Sequence, residues 1–188
     1  MKKNIIYLTG FMGAGKSTIG SILANTLGWE YYDLDKIIEE HTGKKIREIF
    51  EKHGDAYFRE IEREQLKRIS TGDNLIISLG GGTISSGNNL ELLKKNGQII
   101  YLKTSVESVY NRLLYKNDRP LLKINELDLP KEEILEKINA VFSKRKPFYE
   151  QADFIIETEN VTIGKTVDML AKIINNHIKG RQIEENNC

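Results

Sequence analysis

Gly10-Phe11-Met12-Gly13-Ala14-Gly15-Lys16-Ser17 spells G-x-x-x-x-G-K-S, and the string stands where it has a mechanical meaning. The apolar run Ile5-Ile6-Tyr7-Leu8 just before it reads as a buried strand, and Lys16–Leu27 reads as a helix. A glycine loop between strand and helix can cradle a polyphosphate, because consecutive backbone N–H groups curl around it without Cβ clashes. The helix N-terminus adds positive dipole. Gly13, Ala14, Gly15, Lys16, Ser17 and Thr18 are therefore the expected nucleotide cradle, with Lys16 reaching the β- and γ-phosphates and the Ser17 hydroxyl serving Mg2+. This predicts ATP or GTP binding and leaves open what the phosphate is used for.

Three further groups could supply that chemistry. Asp33-Leu34-Asp35 closes the second apolar stretch, and residues i and i+2 of an extended chain share a face. Beside a P-loop, one carboxylate can hold Mg2+, directly or through water, and the other can accept a proton from an attacking hydroxyl. The plainer alternative is a solvated pair with Asp35 as a helix N-cap. The third apolar run, Leu75-Ile76-Ile77-Ser78-Leu79, enters Gly80-Gly81-Gly82, where backbone can approach a polyol or carboxylate closely. Many P-loop strands end here in Asp. Ser78 stands in that place and shifts the metal burden onto Asp33 and Ser17. The arginines are the last group: Arg59 on a helix, Arg119 before Pro120, and Arg145 before Pro147-Phe148-Tyr149. Surface arginines are common, but one in a loop beside a P-loop suits charge neutralisation on a γ-phosphoryl group. His41, His53 and His177 lack ligand spacing, and Trp29 reads as packing.

The elements that must position these residues alternate strand and helix, which predicts an α/β fold with a parallel sheet. Strands are expected at Asn4–Thr9, Glu30–Leu34, Asn74–Leu79, Gln98–Leu102 and Phe154–Glu157. Helices are expected at Lys16–Leu27, Asp35–His41, Ile46–His53, Tyr57–Thr71, Gly87–Asn96, Ser105–Leu114, Lys131–Lys144 and Thr162–Lys179. Gly28 and Gly72 read as helix stops and Ser105 as a helix start. A polar segment around Tyr115–Leu129 fits poorly in a core and suggests a lid, and 180–188 suggests a flexible tail on a single domain of residues 1–179.

Bulk properties narrow the field. With 28 basic and 27 acidic residues among 188, the formal charge is +1, so neither a nucleic acid nor an anionic membrane is an expected partner. The one cysteine, Cys188, excludes an intrachain disulfide and agrees with a cytoplasmic location. No segment has the length or character of a signal peptide or a transmembrane helix.

In this order and spacing, Gly10–Thr18, Tyr32-Asp33-Leu34-Asp35, Phe58-Arg59, Gly80–Gly82, Arg119-Pro120-Leu121-Leu122 and Arg145 with Pro147-Phe148-Tyr149 and Ala152-Asp153 resemble the shikimate kinases. The resemblance runs from about Ile5 to Ile174. It implies a three-layer P-loop kinase fold with a five-stranded parallel sheet ordered 2-3-1-4-5 and a mobile lid. It implies ATP-dependent phosphorylation of the 3-hydroxyl of shikimate, on the route to chorismate and the aromatic amino acids, by a monomer that binds shikimate and ATP. It further implies that Asp35 holds the shikimate hydroxyl, that Arg59 and Arg145 grip its carboxylate, and that Gly80, Gly81 and Gly82 line the pocket. Asp33 would serve Mg2+ in the outer sphere, Arg119 would meet the phosphates, Arg112 would stack on adenine, and the region of Asn160 would cover its other face. Two rivals remain at this point: another small-molecule P-loop kinase, such as gluconate kinase or a nucleoside-monophosphate kinase, and a P-loop protein that binds nucleotide without catalysis. Arg59, Arg145 and the three glycines favour a carboxylate-bearing polyol, and the acidic pair favours catalysis.

Overall fold

The computed structural model describes residues 3–113 and 129–186. Arg119 and most of the expected lid lie outside the described residues. Five strands form one parallel sheet: β1 Ile5–Thr9, β2 Glu30–Asp33, β3 Leu75–Ser78, β4 Gln98–Lys103 and β5 Phe154–Glu157, in the order β2-β3-β1-β4-β5. The helices are α1 Lys16–Leu27, α2 Leu34–Thr42, α3 Ile46–Ile69, α4 Asn89–Asn96, α5 Val106–Leu113, α6 Lys131–Tyr149 and α7 Ile163–Asn186, with a 3-10 turn at Thr83–Ser85. The five-stranded order is the one the resemblance implied.

The central strand explains the layers. All five residues of β1 are buried, and its side chains alternate between the two faces of the sheet. Ile5 and Tyr7 join a core with Ile77, Tyr101, Leu66 of α3 and Ile138 of α6. Ile6 and Leu8 join another with Ile100, Leu23 of α1 and Leu170 of α7. The sheet is thus covered on both sides, and its strands open at their C-terminal ends onto the loops that carry the polar residues.

Several boundaries differ from the sequence expectation for local reasons. The two helices expected at Ile46–His53 and Tyr57–Thr71 are one element with a kink at Gly54, whose φ of 80° and ψ of 179° no other residue type adopts easily. That element ends at Ile69, before the expected stop at Gly72. The Ser70 hydroxyl donates to the Leu66 carbonyl at 2.7 Å and accepts from Tyr7 at 2.8 Å, so a buried tertiary bond closes the last turn. Helix α6 continues past Lys144 through Pro147 to Tyr149. Tyr149 is fully buried and stacks on Tyr101 at 5.1 Å, and this packing outweighs the helix-breaking tendency of Pro147. Helix α7 runs beyond Lys179 to Asn186. Gly28 closes α1 with φ 69°, and the Ser105 hydroxyl accepts from the Ser108 N–H at the start of α5, as their residue types suggested.

Candidate active site

The P-loop sits between β1 and α1. Gly10, Gly13 and Gly15 have φ of 143°, 76° and 91°. At Gly10 space matters as well, since a Cβ there would stand 2.6 Å from the Leu102 carbonyl oxygen. The Lys16 ammonium donates to the Gly10 and Phe11 carbonyls at 2.8 and 3.1 Å, which places it over the loop. Ala14 is buried, whereas Ser17 and Thr18 are exposed on the first turn of α1. Arg112 reaches across from α5 and donates to the Gly13 carbonyl at 2.6 Å. Glu159, in the loop after β5, accepts from the Ser105 N–H at 2.9 Å and the Ser108 hydroxyl at 2.8 Å. Bonds from Ser105 and Ser108, with help from the Arg112 charge, hold the Glu159 carboxyl below the usual carboxylate range. The neighbouring Asn160 has a φ of 56°.

The acidic pair divides. Strand β2 ends at Asp33 and Leu34 already belongs to α2, so the two carboxylates flank a strand-to-helix junction instead of sharing one strand face. The N-cap of α2 is Asp33, not Asp35: Asp33 Oδ1 accepts from the Lys36 N–H at 3.4 Å. Its other oxygen accepts from the Ser17 hydroxyl at 2.7 Å. Leu34 is fully buried and anchors the junction. Asp35, in the first turn of α2, faces the glycine run, with Oδ1 2.8 Å from where a Cβ on Gly80 would stand.

Ser78 lies beside Asp33 in the β2–β3 register, and its hydroxyl donates to the Lys16 carbonyl at 3.0 Å. The Tyr31 hydroxyl stands 3.1 Å from Ser78 Oγ and 3.3 Å from Asp33 Oδ2. Burial, reinforced by the Asp33 charge, pushes the Tyr31 phenol up to about 12.

On the far side of the three glycines the two arginines converge. A Cβ on Gly82 would meet Arg59 Nη2 at 2.7 Å and Arg145 Nη2 at 3.3 Å, and one on Gly81 would meet Arg145 Nη1 at 3.4 Å. Neither Gly80, Gly81 nor Gly82 has a positive φ. They are glycines for space, as the sequence suggested. Arg59 comes from α3 and Arg145 from α6, 86 positions apart in the chain.

Residues the sequence reading did not single out hold these arginines. Glu62 is fully buried and pairs with Arg59 at 2.8 Å, while the Thr83 hydroxyl donates to its other oxygen at 2.6 Å. Asp55 pairs with Arg59 Nε at 3.3 Å. The i,i+3 spacing of Arg59 and Glu62 on one helix was the available signal. The Tyr149 hydroxyl donates to the Gly81 carbonyl. Burial pushes the Tyr149 phenol up, and the adjacent Arg145 partly offsets this. No side-chain pattern distinguishes that tyrosine from a core residue before the chain is folded. His53 stacks on Tyr57 at 4.6 Å, His177 packs edge-on to Phe154 at 6.1 Å, and Trp29 packs against the α1–α7 core.

The P-loop therefore stands beside three bare glycines flanked by the Asp35 and Glu62 carboxylates and the Arg59 and Arg145 guanidinium groups. A profile of the family described as shikimate kinase matches residues 12–175. The shikimate kinase of Chlorobaculum parvum is 44% identical over 177 residues, covering 94% of this chain and 95% of that one. The shikimate kinase of Sulfurihydrogenibium sp. is 44% identical over 169 residues, covering 89% and 96%. Among solved structures, the shikimate kinase of Acinetobacter baumannii in complex with shikimate superposes with a TM-score of 0.84 at 35% identity, covering 93% and 94% of the two chains. That of Bacteroides thetaiotaomicron gives 0.83 at 31%, covering 92% and 98%. The chain belongs to the shikimate kinase family, enzymes that phosphorylate shikimate with ATP.

Proposed function

We propose that Arg59 and Arg145 bind the shikimate carboxylate, that Asp35 holds the 3-hydroxyl, and that the P-loop presents ATP to it. The observation that carries this reading is the convergence of both guanidinium groups on Gly81–Gly82, with Asp35 against Gly80. Planar guanidinium forks suit a carboxylate, and two of them fix its direction as well as its charge. Bare glycines leave the ring room to lie against backbone.

The hydroxyl oxygen attacks the γ-phosphorus, its proton passes to Asp35, and the bond to the bridging oxygen breaks to leave ADP. Such a transfer needs mostly positioning and charge stabilisation. Lys16 and the P-loop N–H groups supply both on the donor side, and Arg119 is assigned to the transferring phosphoryl. Arg112, which bonds to the Gly13 carbonyl, would stack on the adenine, with the region of Asn160 at its other face.

A hydroxyl and a carboxylate at 2.7 Å, Ser17 and Asp33, form a small set of hard oxygen donors that fits Mg2+, an ion that keeps most of its shell as water and phosphate. Among the described residues no cluster of three or more His, Cys, Asp or Glu offers a fuller protein cage. When bound, Mg2+ would neutralise charge on the phosphate oxygens, with Ser17 as direct ligand and Asp33 acting through water. A cytoplasmic monomer is the accompanying proposal. Among the described residues no helix is long and apolar enough to cross a membrane.

A coupled assay of ADP release with shikimate, gluconate and AMP as acceptors tests the function. Release with shikimate alone is expected. Release with gluconate or AMP instead would reassign the acceptor, and none with any of the three would point to nucleotide binding without transfer.

A further inference from the structure

We infer that Tyr31 is a positioning residue for the cation edge of the phosphate site: its hydroxyl holds the Asp33 carboxylate and, through Ser78, the Lys16 peptide in place beside Ser17. The bonding pattern has one consistent direction. Ser78 gives its proton to the Lys16 carbonyl at 3.0 Å, so at 3.1 Å its oxygen must accept from Tyr31. The same phenolic oxygen lies 3.3 Å from Asp33 Oδ2, the oxygen that also accepts from Ser17 at 2.7 Å. Tyr31 thus shares one proton between the carboxylate and a serine that is bonded to the P-loop lysine's own peptide.

The ring cannot easily swing away. Helix α1 passes so close at Gly20 that a Cβ there would stand 2.7 Å from Tyr31 Cε2 and 2.8 Å from Ser78 Oγ. The ring packs against the α1–α7 core, a task phenylalanine would perform equally well. The hydroxyl is the part that packing does not explain, and placing it inside costs free energy unless it is bonded. Both of its partners touch the P-loop: Asp33 through Ser17, and Ser78 through Lys16. Groups that orient a metal's ligands act on affinity without touching the ion.

The inference rests on the proposed role of Ser17 and Asp33 toward Mg2+, and the test separates the two. Mn2+ is titrated into the enzyme–ADP complex, without acceptor, and followed by electron paramagnetic resonance for the wild type, Asp33→Asn and Tyr31→Phe. Asp33→Asn is expected to weaken Mn2+ binding most, and Tyr31→Phe to weaken it about tenfold. Shikimate affinity measured by calorimetry should stay at the wild-type value in Tyr31→Phe, an outcome that a general loosening of the fold would not give. Weakened binding in Asp33→Asn with wild-type binding in Tyr31→Phe would overturn the inference and leave the cation reading standing. Wild-type binding in both would overturn both. Ser78→Ala, which removes one of the two acceptors of the phenolic proton and with it the link from Tyr31 to the Lys16 carbonyl, without touching the ring, should also weaken Mn2+ binding. It provides the same test if Tyr31→Phe does not fold, and an unchanged affinity there would again overturn the inference.

Discussion

Arg59 occupies the space that a side chain on Gly82 would need: a Cβ there would stand 2.7 Å from its Nη2. The guanidinium cannot simply step aside, because Glu62 holds Nη1 at 2.8 Å and Asp55 holds Nε at 3.3 Å. Gly82→Ala should therefore disturb the Nη2 end of Arg59, proposed above to bind the shikimate carboxylate, while leaving the fold intact. The KM for shikimate should rise about tenfold, a loss of ~1.4 kcal/mol. The KM for ATP should not move, and unfolding should shift by less than about 1 kcal/mol. Steady-state kinetics with each substrate varied in turn, together with a denaturation curve, checks this. Equal changes in both KM values would mean that the glycine run serves the nucleotide side as well.

Lysine keeps the charge of an arginine and loses its fork. Arg59→Lys and Arg145→Lys should each weaken shikimate binding by about 1–3 kcal/mol, the scale of a hydrogen bond to a charged group. Calorimetric titration of shikimate reads the effect directly. Wild-type affinity in either variant would remove that arginine from the carboxylate site.

If Arg119 meets the transferring phosphoryl group, as proposed above, its loss should show in rate more than in binding. Arg119→Ala is expected to bind shikimate normally and lose at least about a hundredfold in kcat, within the range known for arginines that stabilise phosphoryl transfer. A matched loss of shikimate affinity would place Arg119 on the acceptor instead.

Glu159 ties the loop after β5 to the start of α5, the helix that carries Arg112. Its carboxyl is held below the usual range in the folded protein, so the tether is complete above that range and is lost as pH falls through the lowered value. ADP affinity should accordingly fall on acidification below about pH 4.5. Glu159→Gln should bind ADP several-fold more weakly at pH 7 and show a shallower dependence on acid. An ADP affinity equal to the wild type at pH 7 would sink this account.

The local patterns carried a good deal. Apolar runs between turn signals marked β1, β3 and β4, because strands buried on both faces must be continuously apolar, whereas β2 and β5, at the two edges of the sheet, are only partly buried. The P-loop was legible because its chemistry is done by backbone, and glycines at set intervals are what such a backbone requires. The three glycines after β3 were legible for a related reason, since small size at a strand end means close approach.

What folding decided was which partners meet. Strand periodicity put Asp33 and Asp35 on one face, yet the turn into α2 at Leu34 sends Asp33 to Ser17 and Asp35 to Gly80. Taken one by one Arg59 and Arg145 read as common surface charges, and only the family resemblance paired them; α3 and α6 bring them together over Gly82. Glu62, Thr83 and Tyr149, which hold that pocket, look in the chain like ordinary helix or core residues. The sequence by itself determined the elements, the phosphate loop and the residue types available, because those follow from periodicity and backbone freedom. The tertiary structure alone decided the pairing of charges, because that depends on contacts between segments far apart in the chain.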